Sequence, residues 1–262
     1  MAILERIETM GHEQVVFFQD PQVGLKAILA IHDTTLGPAL GGCRFWNYKK
    51  EDYALIDVLR LSRGMTYKAS ITNLDLGGGK SVIIGDPNKL KSEAFFRSFG
   101  KCIDSLGGRY ITAEDVNVGV ADINRVAKET SHVVGVTSRK GGSGDPSPFT
   151  ALGVFSGIKA CVKYRLKKDT LRGLRVAVQG LGSVGKNLCH LLFEEGVQII
   201  VSDIDAARVS DICAKYKARS VAVEDIHRVD ADVFSPCALG GVFDANTISQ
   251  LNCPIVAGGA NN

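Results

Sequence analysis

Two lysines and an aspartate stand among glycines in a pattern that a purely structural role does not require. Leu40-Gly41-Gly42-Cys43-Arg44 forms one cluster, Met65-Thr66-Tyr67-Lys68 with Asp75-Leu76-Gly77-Gly78-Gly79-Lys80 a second, and Thr112-Ala113-Glu114-Asp115-Val116 a third. Adjacent glycines let a ligand approach the backbone, and a lysine that follows three of them has little side-chain cover unless something else fills the space. Lys68, Lys80 and Asp115 therefore read as an anion clamp combined with an acid/base pair. The plainer reading of either lysine is a solvated surface residue.

A second constellation lies further along the chain. Gly180-Leu181-Gly182-Ser183-Val184-Gly185 fits G-x-G-x-x-G, a weak signal alone. Its context strengthens it: the apolar run Arg175–Gln179 leads straight in, and Leu188, Leu191 and Leu192 recur at helical spacing behind it. In that order the first glycine makes a tight turn, the second lets a diphosphate approach the backbone, and the third lets helix and strand pack closely. The diphosphate then rests on the positive end of the helix. Asp203, with Ile204 after it, follows where a second strand should end, and its carboxylate can accept hydrogen bonds from ribose hydroxyls. Asp203 and Asp205 oppose a 2′-phosphate, with Arg208 as the only nearby cation, so NAD is expected rather than NADP. A similar sheet that binds no nucleotide is the competing reading.

The elements that must position these residues follow from periodicity. Short β-rich runs are expected at Gln14–Gln19, Leu25–Asp33 and Lys80–Gly85, with helices at Asp52–Leu61 and Ser92–Leu106. In the second helix Phe95, Phe96, Phe99, Cys102, Ile103 and Leu106 form a stripe that belongs to a core. The stretch Ser138–Pro148 is the richest in glycine, serine and proline and marks a boundary. A helix is expected after Pro148 to about Tyr164, its Lys163–Lys168 end being a solvated terminus. Then come a strand over Leu174–Gln179, the glycine turn, a helix to Glu195 and a strand over Val197–Ser202. Alternation continues through Ile212–Tyr216, Val221–Val223, Val233–Phe234 and Ile255–Val256, which argues for a doubly wound parallel sheet. Residues 1–140 are thus expected to form a mixed α/β domain that carries the lysines and Asp115, and residues 141–262 a dinucleotide-binding Rossmann domain.

Composition narrows the function classes. At 262 residues and 45% apolar content the chain buries a real core. A net charge of +3 gives no dominant basic face, so neither nucleic acid nor a membrane surface is an expected partner; a small molecule is. The seven cysteines are scattered without a Cys-x-x-Cys pair, and no metal site is expected. The N-terminus lacks a signal-peptide pattern and no stretch is apolar for the length a bilayer needs, which predicts a cytoplasmic protein.

Taken together, the motifs resemble those of the glutamate/leucine/phenylalanine/valine dehydrogenase family. The resemblance rests on Ile31–Gly42, Gly64–Lys68, Leu76–Lys80, Gly108–Asp115, Pro146-Ser147-Pro148, Pro236–Gly240 and Ala260-Asn261-Asn262. It implies NAD-dependent oxidative deamination of an L-amino acid. Lys68 would pair with the substrate α-carboxylate, helped by Asn262 and the backbone around Gly41. Lys80, its pKa lowered by burial and neighbours, would activate water or polarise the 2-oxo carbonyl, and Asp115 would exchange protons with the amino group. The substrate is expected against Leu40, Gly41, Gly42, Met65, Lys68, Ala113, Pro146 and Asn262. The cofactor is expected against the glycine turn, Asp203, Ile204, Thr150, Cys237, Ala238 and Asn261. Glutamate-type relatives carry a lysine where this chain has Leu40, and an apolar residue there leaves a substrate carboxylate unpaired but accepts a branched alkyl group. Leucine, valine and isoleucine are therefore the expected substrates, with phenylalanine or tryptophan as the alternative. The resemblance also implies that residues 1–140 are the substrate-binding, catalytic and oligomerisation domain, with a cleft between it and the Rossmann domain, and that the protein is a homo-oligomer, often an octamer built through the first domain. Family members run on past the Ala-Asn-Asn motif, so the chain is expected to be a piece of a longer protein.

Two rival functions are weaker. A non-catalytic dinucleotide-binding relative would need none of Lys68, Lys80 and Asp115. A 2-hydroxy-acid enzyme would want a histidine base, and His12, His32, His132, His190 and His227 sit in no matching cluster.

Overall fold

The structure is a computed structural model, and it describes residues 3–137 and 145–260. The chain divides into two compact units, Met1–Asp145 and Pro146–Asn262.

In chain order the first unit contains α1 (Ile3–Met10), β1 (Gln14–Asp20), β2 (Leu25–Asp33), β3 (Ala39–Trp46), α2 (Glu51–Ile71), β4 (Gly77–Ile84), α3 (Pro87–Leu90), α4 (Glu93–Asp104), β5 (Tyr110–Ala113) and α5 (Val120–Val126). The five strands lie in the order β1-β2-β4-β3-β5. β2 runs antiparallel to both β1 and β4, whereas β3 is parallel to both β4 and β5. Helices cover both faces, which is why β2 is apolar along most of its length instead of alternating. On one face Ile28, Ala30 and Val82 pack against Ala54, Leu55, Val58 and Leu59 of α2. On the other, Leu29, Phe45 and Ile83 meet Phe95, Phe96, Phe99 and Ile103 of α4, so the expected aromatic stripe is core. Ser92 caps α4 by accepting a hydrogen bond from Phe95 N at 3.1 Å. Each buried phenylalanine is worth about 1.5–3 kcal/mol.

Three elements differ from the sequence expectation. α2 runs to Ile71, well past Leu61, and so carries Met65 and Lys68. β3 and β5 were not anticipated as strands, because glycine and the short Tyr110–Ala113 run give little β signal.

The second unit contains α6 (Ser147–Leu166), β6 (Arg175–Gln179), α7 (Ser183–Glu194), β7 (Gln198–Ser202), α8 (Ala206–Tyr216), β8 (Arg219–Ser220), β9 (Val233–Pro236) and α9 (Ala245–Ser249). Its sheet is parallel throughout, in the order β8-β7-β6-β9, which is the third-second-first-fourth arrangement of the doubly wound fold. Val176, Val178 and Val201 pack against Leu188 and Leu192 of α7 and Ile158 and Val162 of α6. Ala177, Ile200 and Phe234 form a separate core with Ile226 and Ala231 on the opposite face. Of the expected alternation, Ile212–Tyr216 is the end of α8. Val221–Val223 carries no strand, the pairing lying at Arg219–Ser220 instead, and Val256 makes only an isolated parallel bridge to Phe234. Among the described residues no helix is long and apolar enough to cross a membrane, and no His, Cys, Asp and Glu group is arranged to hold a metal ion.

Candidate active site

Side-chain alternation along three neighbouring strands assembles the chemical residues of the first unit. Register pairs Leu40 with Gly78 and Ile111, and Arg44 with Val82. Because Val82 packs on α2, the even positions Leu40, Gly42, Arg44, Gly78, Lys80 and Val82 all point toward that helix, which supplies Met65 and Lys68. The odd positions Cys43 and Ser81 point the other way, with Tyr110, toward the aromatic core.

The glycines do different work from the sequence expectation. Backbone and side chains of the protein itself lie close against them. A side chain at Gly78 would collide with Thr66 and the Ser62 carbonyl of α2, and one at Gly41 with the Gly79 carbonyl. At Gly42 a Cβ would fall 2.9 Å from Asp115 Cβ. Gly78 thus lets α2 close on the sheet, and Gly42 lets the chain leaving β5 fold across β3 so that Asp115 reaches Lys80. Lys80 is accordingly only 5% exposed, covered by protein where the sequence suggested an open space.

Lys80 Nζ lies 2.7 Å from Asp115 Oδ2. Burial pushes the Asp115 carboxyl up, but Lys80 and then Arg44 more than reverse this and hold it below the usual carboxylate range. Lys68 is exposed on α2, yet partial burial of its amine, followed by repulsion from Lys80, lowers its pKa. Leu40, Met65 and Ala113 are half-buried on the same face. Behind the site, the fully buried Tyr110 hydroxyl donates to the Gly41 carbonyl at 2.5 Å and meets Ser81 Oγ at 3.0 Å. This fixes the Gly41–Gly42 peptide from the core side. Tyr110, Arg44, Asp57 and Tyr48 are site-supporting residues to which the sequence assigned no role. Reading residues 39–46 as a strand would have placed Arg44 beside Leu40 and Gly42.

In the second unit the glycine turn has the geometry its spacing predicts. Gly180 sits at φ +92°, where side chains are disfavoured, and a Cβ there would lie 2.6 Å from Ala238 N. Gly185 faces the Gly180 carbonyl too closely for any side chain, whereas Gly182, preceding the first residue of α7, has open space around it. Cys237 N donates to the Gln179 carbonyl at 2.7 Å, which brings Cys237 and Ala238 to the turn. Thr150 and Val184 both approach Gly259. Asp203 Oδ2 accepts from Leu181 N at 2.6 Å and Oδ1 from Asp205 N at 2.8 Å. Ser183 is exposed and Ile204 is 90% exposed. Arg208, the cation nearest Asp203 in sequence, is ion-paired to Asp205 at 3.1 Å. A dinucleotide fits this unit: Gly182 leaves room at the helix N-terminus, and the buried Gln179 Oε1 and Ser202 Oγ at the ends of β6 and β7 have no protein partner. Pro146 opens the second unit, ahead of α6. Asn261 and Asn262 lie outside the described residues.

Residues 12–132 match the Glu/Leu/Phe/Val dehydrogenase dimerisation-domain profile, and residues 141–211 match the glutamate/leucine/phenylalanine/valine dehydrogenase profile. The chain belongs to this family. It is an oxidoreductase of the amino acid dehydrogenase class, whose members depend on a pyridine nucleotide. It is 52% identical to leucine dehydrogenase of Geobacillus stearothermophilus, over 100% of this chain and 71% of that protein. It is 47% identical to phenylalanine dehydrogenase of Thermoactinomyces intermedius, over 99% of this chain and 72% of that one. The crystal structure of L-tryptophan dehydrogenase from Nostoc punctiforme superposes with a TM-score of 0.71 at 47% identity, covering 100% of this chain and 74% of that one.

Proposed function

We propose that this dehydrogenase catalyses the reversible, NAD-dependent oxidative deamination of a branched-chain L-amino acid to its 2-oxo acid and ammonia. The observation that carries the substrate class is Leu40, half-buried on the same strand face as the Lys80–Asp115 pair. An alkyl side chain meets an apolar surface there, whereas a second carboxylate would be desolvated without a partner. One methylene is worth only about 1–3 kcal/mol of discrimination, so leucine, valine and isoleucine share the site.

Lys68, cationic and accessible, receives the α-carboxylate and orients the α-carbon toward Lys80. Asp115, held ionised, takes a proton from the substrate ammonium; once hydride has left the α-carbon, Lys80 in its neutral form takes a proton from the water that attacks the imine carbon, and that proton is returned to the departing nitrogen. The nitrogen leaves as ammonia and the carbonyl oxygen comes from that water. The dinucleotide, held by the Gly180–Gly185 turn with Asp203, Thr150, Cys237 and Ala238, supplies the hydride acceptor. Asp203 and the paired state of Arg208 support NAD over NADP.

The test is the rate of NAD reduction with leucine, valine, isoleucine, phenylalanine, tryptophan and glutamate at equal concentration, repeated with NADP. Fastest turnover of a branched-chain substrate with NAD is expected. Preference for phenylalanine or tryptophan, the substrates in two relatives' names, would replace the branched-chain reading, and equal or faster rates with NADP would remove the cofactor assignment.

A further inference from the structure

Arg44 is buried, its side chain 7% exposed, and a guanidinium at such a site keeps its charge and must be paired. It has two carboxylates. Nη1 donates to Asp57 Oδ2 of α2 at 2.8 Å, and Nε lies 3.5 Å from Asp115 Oδ2. Tyr48 donates to the same Asp57 oxygen at 2.5 Å, so the far side of the guanidinium is fastened to the helix while its near side faces the candidate acid/base carboxylate. A structural arginine serving only Asp57 has no reason to reach the oxygen that Lys80 also holds.

We infer that Arg44 is a positioning residue that acts through Asp115, a permanent second cation that keeps this carboxylate ionised and aimed while Lys80 exchanges its proton. The inference rests on the proposed reaction. In that reaction the charge on Lys80 comes and goes, and each time it is lost a buried Asp115 with no other cation would take up a proton and cease to act as a base. Arg44 cannot deprotonate at working pH, so it supplies the constant part of the field. The other groups around Asp115 do not substitute for it. Lys68 on α2 is committed to the substrate carboxylate in this scheme, while Cys43 on β3, pushed up to about 12, and Tyr110 on β5, also pushed up by burial, stay neutral. Asp57 opposes the effect, being a like charge behind Arg44.

The experiment is the carbon-13 NMR titration of the Asp115 carboxyl, its resonance identified by Asp115→Asn, together with the pH profile of kcat/KM for the amino acid the parent turns over. Arg44→Gln is expected to raise both the Asp115 titration and the acid limb by about one pH unit or more, roughly a tenfold gain in the carboxylate's proton affinity. Arg44→Lys should restore most of the shift. Asp57→Asn should lower the Asp115 titration, since it removes the like charge and leaves Arg44 to Asp115 alone; it also serves if Arg44→Gln does not fold. An Asp115 titration unmoved by Arg44→Gln, or unmoved or raised by Asp57→Asn, overturns the inference. A parent that turns over no amino acid overturns the proposed function instead, and the NMR titration still decides the role of Arg44.

Discussion

Lys80 and Lys68 carry the same charge but should fail differently when removed. Lys80 is buried against Asp115 and its part is played while bonds change, so Lys80→Ala is expected to lower kcat by about 10²–10⁴ with a small change in KM. Lys68 is exposed and in the proposed reaction grips a carboxylate present in ground and transition states alike, so Lys68→Ala should chiefly raise KM. Steady-state kinetics separate the two, and near-normal turnover by folded Lys80→Ala would end the mechanism. Leu40→Lys should shift the ratio of leucine to glutamate turnover toward glutamate; an unchanged ratio would remove Leu40 from the pocket wall. Lys80 was legible because a charge beside three glycines is unusual in a core strand, and Lys68 and Leu40 through the motifs that carry the family resemblance. Arg44 was not, since its meaning depends on facing the same way as Lys80, and that follows only from the register of β3 on β4.

At the scale of the element, the glycine turn between β6 and α7 makes two opposite forecasts. Gly185→Val places atoms against the Gly180 carbonyl and should destabilise the fold by about 1–3 kcal/mol, seen as a lower Tm. Gly182→Ala enters open space and should leave Tm almost unchanged while weakening NADH binding in a fluorescence titration. If Gly182→Ala bound NADH normally, the diphosphate would have to be placed elsewhere. This turn was readable because strand, glycines and helix follow one another directly in the chain. β3 and β5 were not, because their stability comes from pairing with β4 and with each other, and the local sequence of Leu40–Gly42 shows none of it. The fully buried Gly78 and Gly79 belong to the same lesson: what they accommodate is α2 and the Tyr110 ring, contributed from elsewhere in the chain.

For the molecule as a whole, pH should act through a histidine pair, His12 and His32. His12, 8% exposed, bonds Leu59 O and Ser62 Oγ through Nε2 and packs edge-on against His32, 4.8 Å between ring centres. Burial, and then His32, lower its pKa from 6.5 to about 4. The unfolded chain therefore binds the extra proton first: this stability is complete above about pH 6.5 and is lost as pH falls toward 4. Between pH 7 and pH 5 the loss should be about 2 kcal/mol, and His12→Gln should show a smaller drop in urea midpoint over that interval. An equal drop in both proteins would assign the acid sensitivity to other groups. Neither the pair nor the strand order β1-β2-β4-β3-β5 could be read from spacing, because each joins residues that lie far apart in sequence.

The Asp203 carboxylate, fastened to Leu181 N, gives anyone wishing to redesign the coenzyme choice an awkward bargain. Under the proposed NAD preference, the residue to be removed to admit a phosphorylated ribose is also a clasp that holds the loop in shape. Asp203→Ser should therefore narrow the gap between NAD and NADP mainly by impairing NAD, with the loop left to be ordered at the expense of binding. Initial rates with both coenzymes will tell: a gain with NADP at undiminished NAD performance would mean that the clasp is dispensable. A practical swap would keep a hydrogen-bond acceptor for Leu181 N, for example asparagine, and bring in the new cation at Ile204, whose side chain already stands in solvent.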